Sequence, residues 1–424
     1  MLIAGIALLI LLAFGFPIAI VLGISSVIYM LATDSLNLMT SAPQRMFNGV
    51  ETYGLLAIPL FMLVGELMNQ GGVSNRIIKS LSLLMGHLKG GLAYANVVAN
   101  VFLASILGSA NAQSAIMNRV MVPEMEKEGY KREFSAALTA SSSLMGPIIP
   151  PSMIFILYGV LAGVSINGLF LAGIIPGLLF ALAFVGMIYA LSFKYNFKKT
   201  DRASAAVIAK YLLQVIPSLS IPVIIIWGIL TGVFTPTESA AIGCLIAFIL
   251  GMFVYKELKW SDLSKVFINT AVNTSIITFI IVNASLFSWV MAMERIPHLI
   301  MDFIMSIATS PLMFLVLVNI LFLVIGMFMD EMAAIIILVP ILMPIVSAYG
   351  IDPIHFGVII AINATIGLIT PPVGYVLFTT SSIAEVKYER LVRAIIPFVA
   401  ISLLILLIIT YVPAVTTWIP QLFG

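Results

Sequence analysis

Gly146-Pro147-Ile148-Ile149-Pro150-Pro151 interrupts an apolar run over residues 134–164, and Gly367-Leu368-Ile369-Thr370-Pro371-Pro372 interrupts another over 354–383. Paired prolines remove two backbone donors and crowd the turn before them, so a helix entering either motif must stop there. The stop frees carbonyls at the C-terminal end of the first half-helix, where the negative end of the helix dipole favours a small cation. A plain kink would also place prolines in such a run. Duplication argues for more than a kink. The two motifs lie 221 residues apart, and at that offset Pro123 matches Pro344, Gly129 matches Gly350 and Pro176 matches Pro397. Coincident prolines and glycines in one register mark two related halves.

The rest of the chain suits those runs. Hydrophobic residues make up 62% and charged residues 9%, with a mean hydropathy of +1.18. A soluble domain carries about a quarter charged residues, so this chain could not cover a soluble surface. Further apolar runs lie at 2–31 (interrupted at Pro17), 53–70, 168–191, 211–231, 236–254, 266–293 and 394–412. Two more stretches, 90–122 and 311–346, are shorter than the ~40 residues plus a turn that two crossings need. Each is broken near its middle, by Gly108-Ser109-Ala110-Asn111 and by Gly326 to Asp330-Glu331. They read as re-entrant hairpins, whose non-helical tips are tolerated at membrane depth only inside protein or beside a cavity. Two short tilted spans are the alternative.

Charge orients the chain. Of the 20 Lys and Arg residues, 17 fall in five loops, 76–89, 123–133, 194–210, 256–265 and 385–393. With those loops assigned to the cytoplasm, the hairpin at 90–122 enters from inside and the one at 311–346 from outside. The expected fold is therefore an all-α polytopic membrane protein of two inverted repeats. Each repeat has a re-entrant hairpin and a broken transmembrane helix, a recurring plan of secondary transporters. We divide the chain into an N-terminal membrane segment (1–52), repeat 1 (53–191), a connecting helix pair (192–265), repeat 2 (266–412) and a tail (413–424). The first 31 residues lack the basic flank of a signal peptide and read as a retained membrane segment.

Candidate ligands crowd the tips: Ser105, Gly108, Ser109 and Asn111 in the first, Gly326, Met329 and Asp330 in the second. Hydroxyl, amide and carboxylate oxygens suit a hard cation such as Na⁺. The N-terminal ends of the returning arms offer free N–H groups to a substrate carboxylate. Asp330 is either a functional acid, costly at that depth, or a cap for the helix that follows. Glu238, in Thr235-Pro236-Thr237-Glu238-Ser239, reads as a cap, and Glu66 as an interfacial residue or partner contact. Trp260 and Trp418 fit interfacial anchors.

Other chemistries are excluded. A net charge of +2 gives nucleic acid no electrostatic hold. No GxxxxGK[ST] or HExxH motif occurs, His87, His298 and His355 stand apart, and Cys244 is the single cysteine. We expect no cofactor. An intramembrane hydrolase built on Asp330 would need a second acid in a comparable break, and none is there.

The stretches Gly108–Gly177, with GPIIPPS and AGIIPG, and Gly326–Thr380, with GLITPP, together with TPTES at 235–239, resemble the large membrane subunit of tripartite ATP-independent periplasmic (TRAP) transporters. Within that family the chain is most similar to the sialic-acid type. The resemblance implies an inner-membrane permease with three kinds of partner: a small four-helix membrane subunit, a periplasmic substrate-binding protein and the lipid bilayer. It implies sodium-coupled uptake of an organic acid by an elevator movement. By position, one sodium site would use Ser109, Gly146, Ile149 and Pro150, and a second Gly326, Gly367, Thr370 and Val373. Asp330, with Asn111 and Ser105, would face substrate or a further sodium. The small subunit is expected on a separate chain. A C4-dicarboxylate or other carboxylate system, or a stand-alone carrier of the same inverted-repeat plan, is the alternative.

Overall fold

The computed structural model describes residues 2–33, 35, 38–194, 197 and 204–423. The described residues form helices, turns and loops, with no strand among them. Eight of the described helices are long and apolar enough to cross a membrane.

Helix bounds recur at the 221-residue offset. The arms of the first helix–tip–helix unit, Gly91–Leu107 and Ala110–Lys127, have counterparts in Pro311–Phe328 and Glu331–Ala348. The first broken helix is Arg132–Ser142 followed, beyond the proline motif, by Met153–Ala162. Its counterpart is Pro353–Gly367 followed by Tyr375–Ile383. Local chemistry sets these ends. Ser109, Ser152, Ser310, Asp330 and Asp352 all occupy N-cap positions and accept backbone N–H groups of the helix that follows. Gly129 and Gly350, matched in register, both turn the chain at positive φ (+85° and +64°), which glycine adopts without steric cost.

Loops rich in Lys and Arg meet one another. Arg132 pairs with Glu126 at 3.0 Å and Glu385 at 3.3 Å, and its Nε donates to the Ala384 carbonyl at 2.7 Å. Arg76 pairs with Glu257 at 2.6 Å and stacks over Tyr255. Tyr130 stacks on Phe197, with ring centroids 4.7 Å apart. Three separated stretches of sequence thus converge on one region around Arg132 and Tyr130. Lys198, Lys199 and Arg202 of the loop 194–210 lie outside the described residues.

Some elements differ from the hydropathy runs. The segment 2–31 is two short helices, Leu2–Ala13 and Ile18–Ala32, folded against each other across a turn at Gly15 (φ +74°). Neither reaches the ~20 residues of a full span. Helices also form at Leu38–Asn48, Val73–Met85 and Ile296–Ile307, and the tail carries Ala414–Phe423, packed on Ile166–Lys194 and Pro353–Gly367. These helices are amphipathic. Their polar faces break the apolar run that a hydropathy reading follows.

Candidate ion and substrate site

Gly108, at φ +59°, turns the first tip, and Ser109 caps the returning arm through the Ala112 N–H. A Cβ on Gly108 would stand 3.5 Å from the Pro151 carbonyl oxygen and 3.2 Å from Met153 Cγ, so the tip lies against the proline break. A Cβ on Gly146 would stand 3.3 Å from the Ser109 carbonyl carbon and 2.8 Å from Gln113 Oε1. Ser109 and Gly146, chosen from sequence as partners, are neighbours. Ile149 packs its side chain into the space left by Gly177. The Ser152 hydroxyl donates to the Pro147 carbonyl and closes the loop that contains Pro150. The Pro150–Pro151 and Pro371–Pro372 peptides are cis.

The second tip is closed more tightly. A Cβ on Gly367 would stand 2.6 Å from both Cα and the carbonyl carbon of Gly326, and one on Gly326 2.8 Å from the Ala364 carbonyl. Only glycine on both sides permits that approach. The Gly374 N–H donates to the Met327 carbonyl at 3.0 Å and ties the break to the arm. Thr370 Oγ1 donates to the Ile366 carbonyl at 2.7 Å, which leaves its lone pairs for another partner. Tyr388 Oη donates to the carbonyls of Val373 at 2.6 Å and Pro372 at 2.8 Å, pinning the strand of backbone beyond the break. Asp330 Oδ1 accepts the Met332 N–H at 3.0 Å, and the side chain is otherwise exposed. Glu331 is buried, and its Oε2 has no hydrogen-bond partner.

Between the tips and two neighbouring helices lies a cavity of about 350 Å³. Ser109, Asn111 and Ala112 reach it from the first tip and Met332 from the second. Glu66 and Asn69 line it from Ala57–Gln70, and Asn273 from Trp260–Met293. A larger cavity, about 600 Å³, lies between the same two helices toward Tyr53, but no tip residue lines it. The smaller one is therefore the site where tip chemistry can meet a ligand. Amide and hydroxyl groups face it, and the first turn of the arm Ala110–Lys127 ends there, suited to a carboxylate.

The structure separates the three residues expected near substrate. Asn111 lines the cavity, with Oδ1 buried and unpaired. Ser105 is buried inside the first arm and is not among the cavity's lining residues, and Asp330 sits on the second tip as a helix cap. Glu238 caps as expected: it forms a reciprocal capping box with Thr235, accepting the Thr235 N–H at 2.8 Å. Glu66 belongs to the cavity wall. Sequence reasoning passed over Gln113, Asn69 and Asn273. A signal for Gln113 was present in the buried polar positions Asn96, Asn100, Ser114 and Asn118, spaced four apart on two helices of an otherwise apolar stretch. Among the described residues no group of three or more His, Cys, Asp or Glu side chains could hold a metal ion.

The model of one family, Tripartite ATP-independent periplasmic transporter, DctM component, matches residues 6–415. The sialic acid TRAP transporter large permease protein SiaM of Vibrio cholerae is 35% identical over 96% of this chain and 96% of its own length. The 2,3-diketo-L-gulonate TRAP transporter large permease protein YiaN of Escherichia coli is 37% identical, over 95% and 94%. The C4-dicarboxylate TRAP transporter large permease protein DctM of Pseudomonas aeruginosa is 38% identical, over 90% and 89%. In fold the chain is similar to the Alcanivorax borkumensis YdaH transporter, with a TM-score of 0.68 at 15% identity, over 92% of this chain and 90% of that one.

Proposed function

The chain belongs to the DctM-component family of tripartite ATP-independent periplasmic transporters, and from that premise we propose that it couples inward sodium movement to uptake of an organic acid. It is a multi-pass permease subunit of the bacterial inner membrane and not an enzyme. Its family works as a tripartite assembly, with a small membrane subunit and a periplasmic binding protein. The observation that carries the coupling reading is the repeated pairing of a hairpin tip with a proline break, beside one cavity. Ser109, Gly146, Ile149 and Pro150 would supply the oxygens of one sodium site, and Gly326, Gly367, Thr370 and Val373 those of the other. The substrate carboxylate binds at the start of the arm Ala110–Lys127, with Asn111 beside it and Asp330 holding charge balance from the second tip.

In this reading the hairpins and broken helices form the moving body of an elevator, and the two repeats are inverted across the membrane. Ala57–Gln70 and Trp260–Met293 belong to the fixed scaffold. Sialic acid is the preferred substrate. A cavity faced by Asn69, Ser109, Asn111, Asn273 and Glu66 supplies many partners for a hydroxyl-rich acid, more than a bare dicarboxylate could use. A C4-dicarboxylate is the second reading, supported by the relative from Pseudomonas aeruginosa.

The test is uptake into liposomes holding the chain and its small subunit, with sialic-acid, diketogulonate and dicarboxylate binding proteins supplied in turn. Uptake should require inward Na⁺, with more than one ion per substrate, and should be fastest with sialic acid. Equal uptake in potassium-only buffer removes sodium coupling. Uptake only with dicarboxylates transfers the assignment to the second reading.

A further inference from the structure

The first tip is backed by a string of buried polar side chains in which each hydrogen bond fixes the direction of the next. Thr139 Oγ1 donates to the Ser135 carbonyl at 2.7 Å, so it can accept from Asn96 Nδ2, which it does at 2.6 Å. The Asn96 amide is thereby oriented with its oxygen toward Asn100, whose Nδ2 donates to it at 2.8 Å. Asn100 in turn presents Oδ1 and its backbone carbonyl to Gln113 Nε2, at 2.7 and 2.8 Å. All four of these side chains are fully buried. The amide of Gln113 cannot be flipped, because its other orientation would set oxygen against two acceptors.

The string therefore delivers one atom, Gln113 Oε1, to a defined place. That oxygen is buried, has no hydrogen-bond donor, and lies 2.8 Å from where a Cβ on Gly146 would stand. A buried acceptor left without a partner is destabilising, and three further side chains hold it so. An oxygen that no donor satisfies, at the head of a break that exposes carbonyls, matches a bound cation.

We propose that Gln113 Oε1 is a side-chain ligand of the first cation site, and that Asn100, Asn96 and Thr139 are the positioning residues that aim it. The inference rests on the coupling-ion reading above. The amide is neutral, so the site suits a small monovalent cation that must also leave. Register gives the contrast: Gln113 corresponds to Ala334, so the returning arm of the second hairpin brings no amide to its break at that position. The two sites then bind unequally, the first depending on an amide and the second on backbone and Thr370.

Thermal unfolding of the chain with its small subunit in detergent tests this, with NaCl replaced stepwise by choline chloride at constant ionic strength. Wild type should be stabilised by Na⁺. Gln113→Met, which fills the space without an oxygen, should raise the Na⁺ concentration for half the effect about tenfold or more. Gln113→Glu keeps an oxygen and adds charge but loses the donor to Asn100. It should lower the melting temperature in choline yet bind Na⁺ at least as well as wild type. If Gln113 only packs the tip, both variants lower the melting temperature and neither moves the Na⁺ midpoint, which overturns the assignment. Should the Met variant fail to fold, a weaker Na⁺ response in the Glu variant overturns it equally. A wild type no more stable in Na⁺ than in choline removes the coupling-ion reading along with it.

Discussion

Set side by side in their common register, the two tips share a backbone plan and almost none of its side-chain chemistry. Ser105 stands where the second repeat has Gly326, Gln113 where it has Ala334, and Ser109 where it has Asp330. The first hairpin is filled by an amide string ending in an unpaired oxygen, and it packs on its broken helix mainly through the returning arm Ala110–Lys127. The second half has a shorter string, in which Asn363 Nδ2 donates to Asn319 Oδ1 at 2.8 Å and Asn319 Nδ2 to Thr410 Oγ1 at 3.1 Å. It also leaves an oxygen unpaired, Asn363 Oδ1, but on the broken helix and not on the returning arm. In this half the entering arm Pro311–Phe328 lies against Pro353–Gly367 with glycine on glycine, and two acids mark the turn. The difference teaches that helix ends are set by caps, prolines and glycines, which the register retains, whereas the polar side chains around each break are supplied by each half independently. One scaffold thus holds two unlike tips.

The comparison is broken most completely by topology. Single cysteines at Lys387 and Thr309 should be labelled from opposite sides, the first from the cytoplasm and the second from the periplasm, with no cross-labelling. Labelling of both from one side removes the inverted relation, whatever the register says. The next effect is steric. Gly367→Ala sets a methyl against backbone that cannot yield, and should cost about 2–3 kcal/mol in thermal unfolding, within the usual range for overpacking. Gly146→Ala meets first Gln113 Oε1, at 2.8 Å, with backbone no nearer than 3.2 Å, so the methyl strains the amide's hydrogen bonds before it presses on backbone. It should cost about 1 kcal/mol or less, and displace the oxygen from the break. Equal losses at the two glycines would mean the first break is as tightly closed as the second.

Asp330→Asn asks whether the acid is more than a cap. Asn caps about as well as Asp, so stability should fall by less than ~1 kcal/mol. The sodium concentration for half-maximal uptake should nevertheless rise about tenfold, the loss of one charged ligand at an exposed tip. Unchanged sodium dependence would reduce Asp330 to its cap. The smallest effect is expected at Glu238→Gln, outside both sites. Its carboxylate serves the capping box with Thr235, and Gln fills the same position in such boxes. Stability should change by less than ~0.5 kcal/mol and sodium dependence not at all.

Much of the architecture was legible because it is written in local rules. Length of apolar run, paired prolines, matched glycines and the placement of 17 of 20 basic residues act over a few neighbours each, and a reader of sequence can apply them one at a time. They gave the break positions and the tips; the grouping of Ser109 with Gly146 and of Gly326 with Gly367 came from the family resemblance, and the structure sets the members of each pair side by side. The amphipathic helices Val73–Met85 and Ile296–Ile307 escaped that reading because both are short and polar residues on one face interrupt their apolar runs.

By itself the sequence determined a membrane-embedded, duplicated helical chain with two interrupted helices, since burial in lipid and the missing N–H of proline admit no other local outcome. Only the tertiary structure decided which polar side chains are spent on one another and which are left over. Gln113, Asn100 and Asn118 are indistinguishable as isolated amides in an apolar stretch. The direction of each hydrogen bond depends on its neighbour across the hairpin, and that chain of directions ends with one oxygen at Gly146. The cavity was hidden for the same reason: Glu66, Asn111 and Asn273 are far apart in sequence, and only packing brings them to one wall.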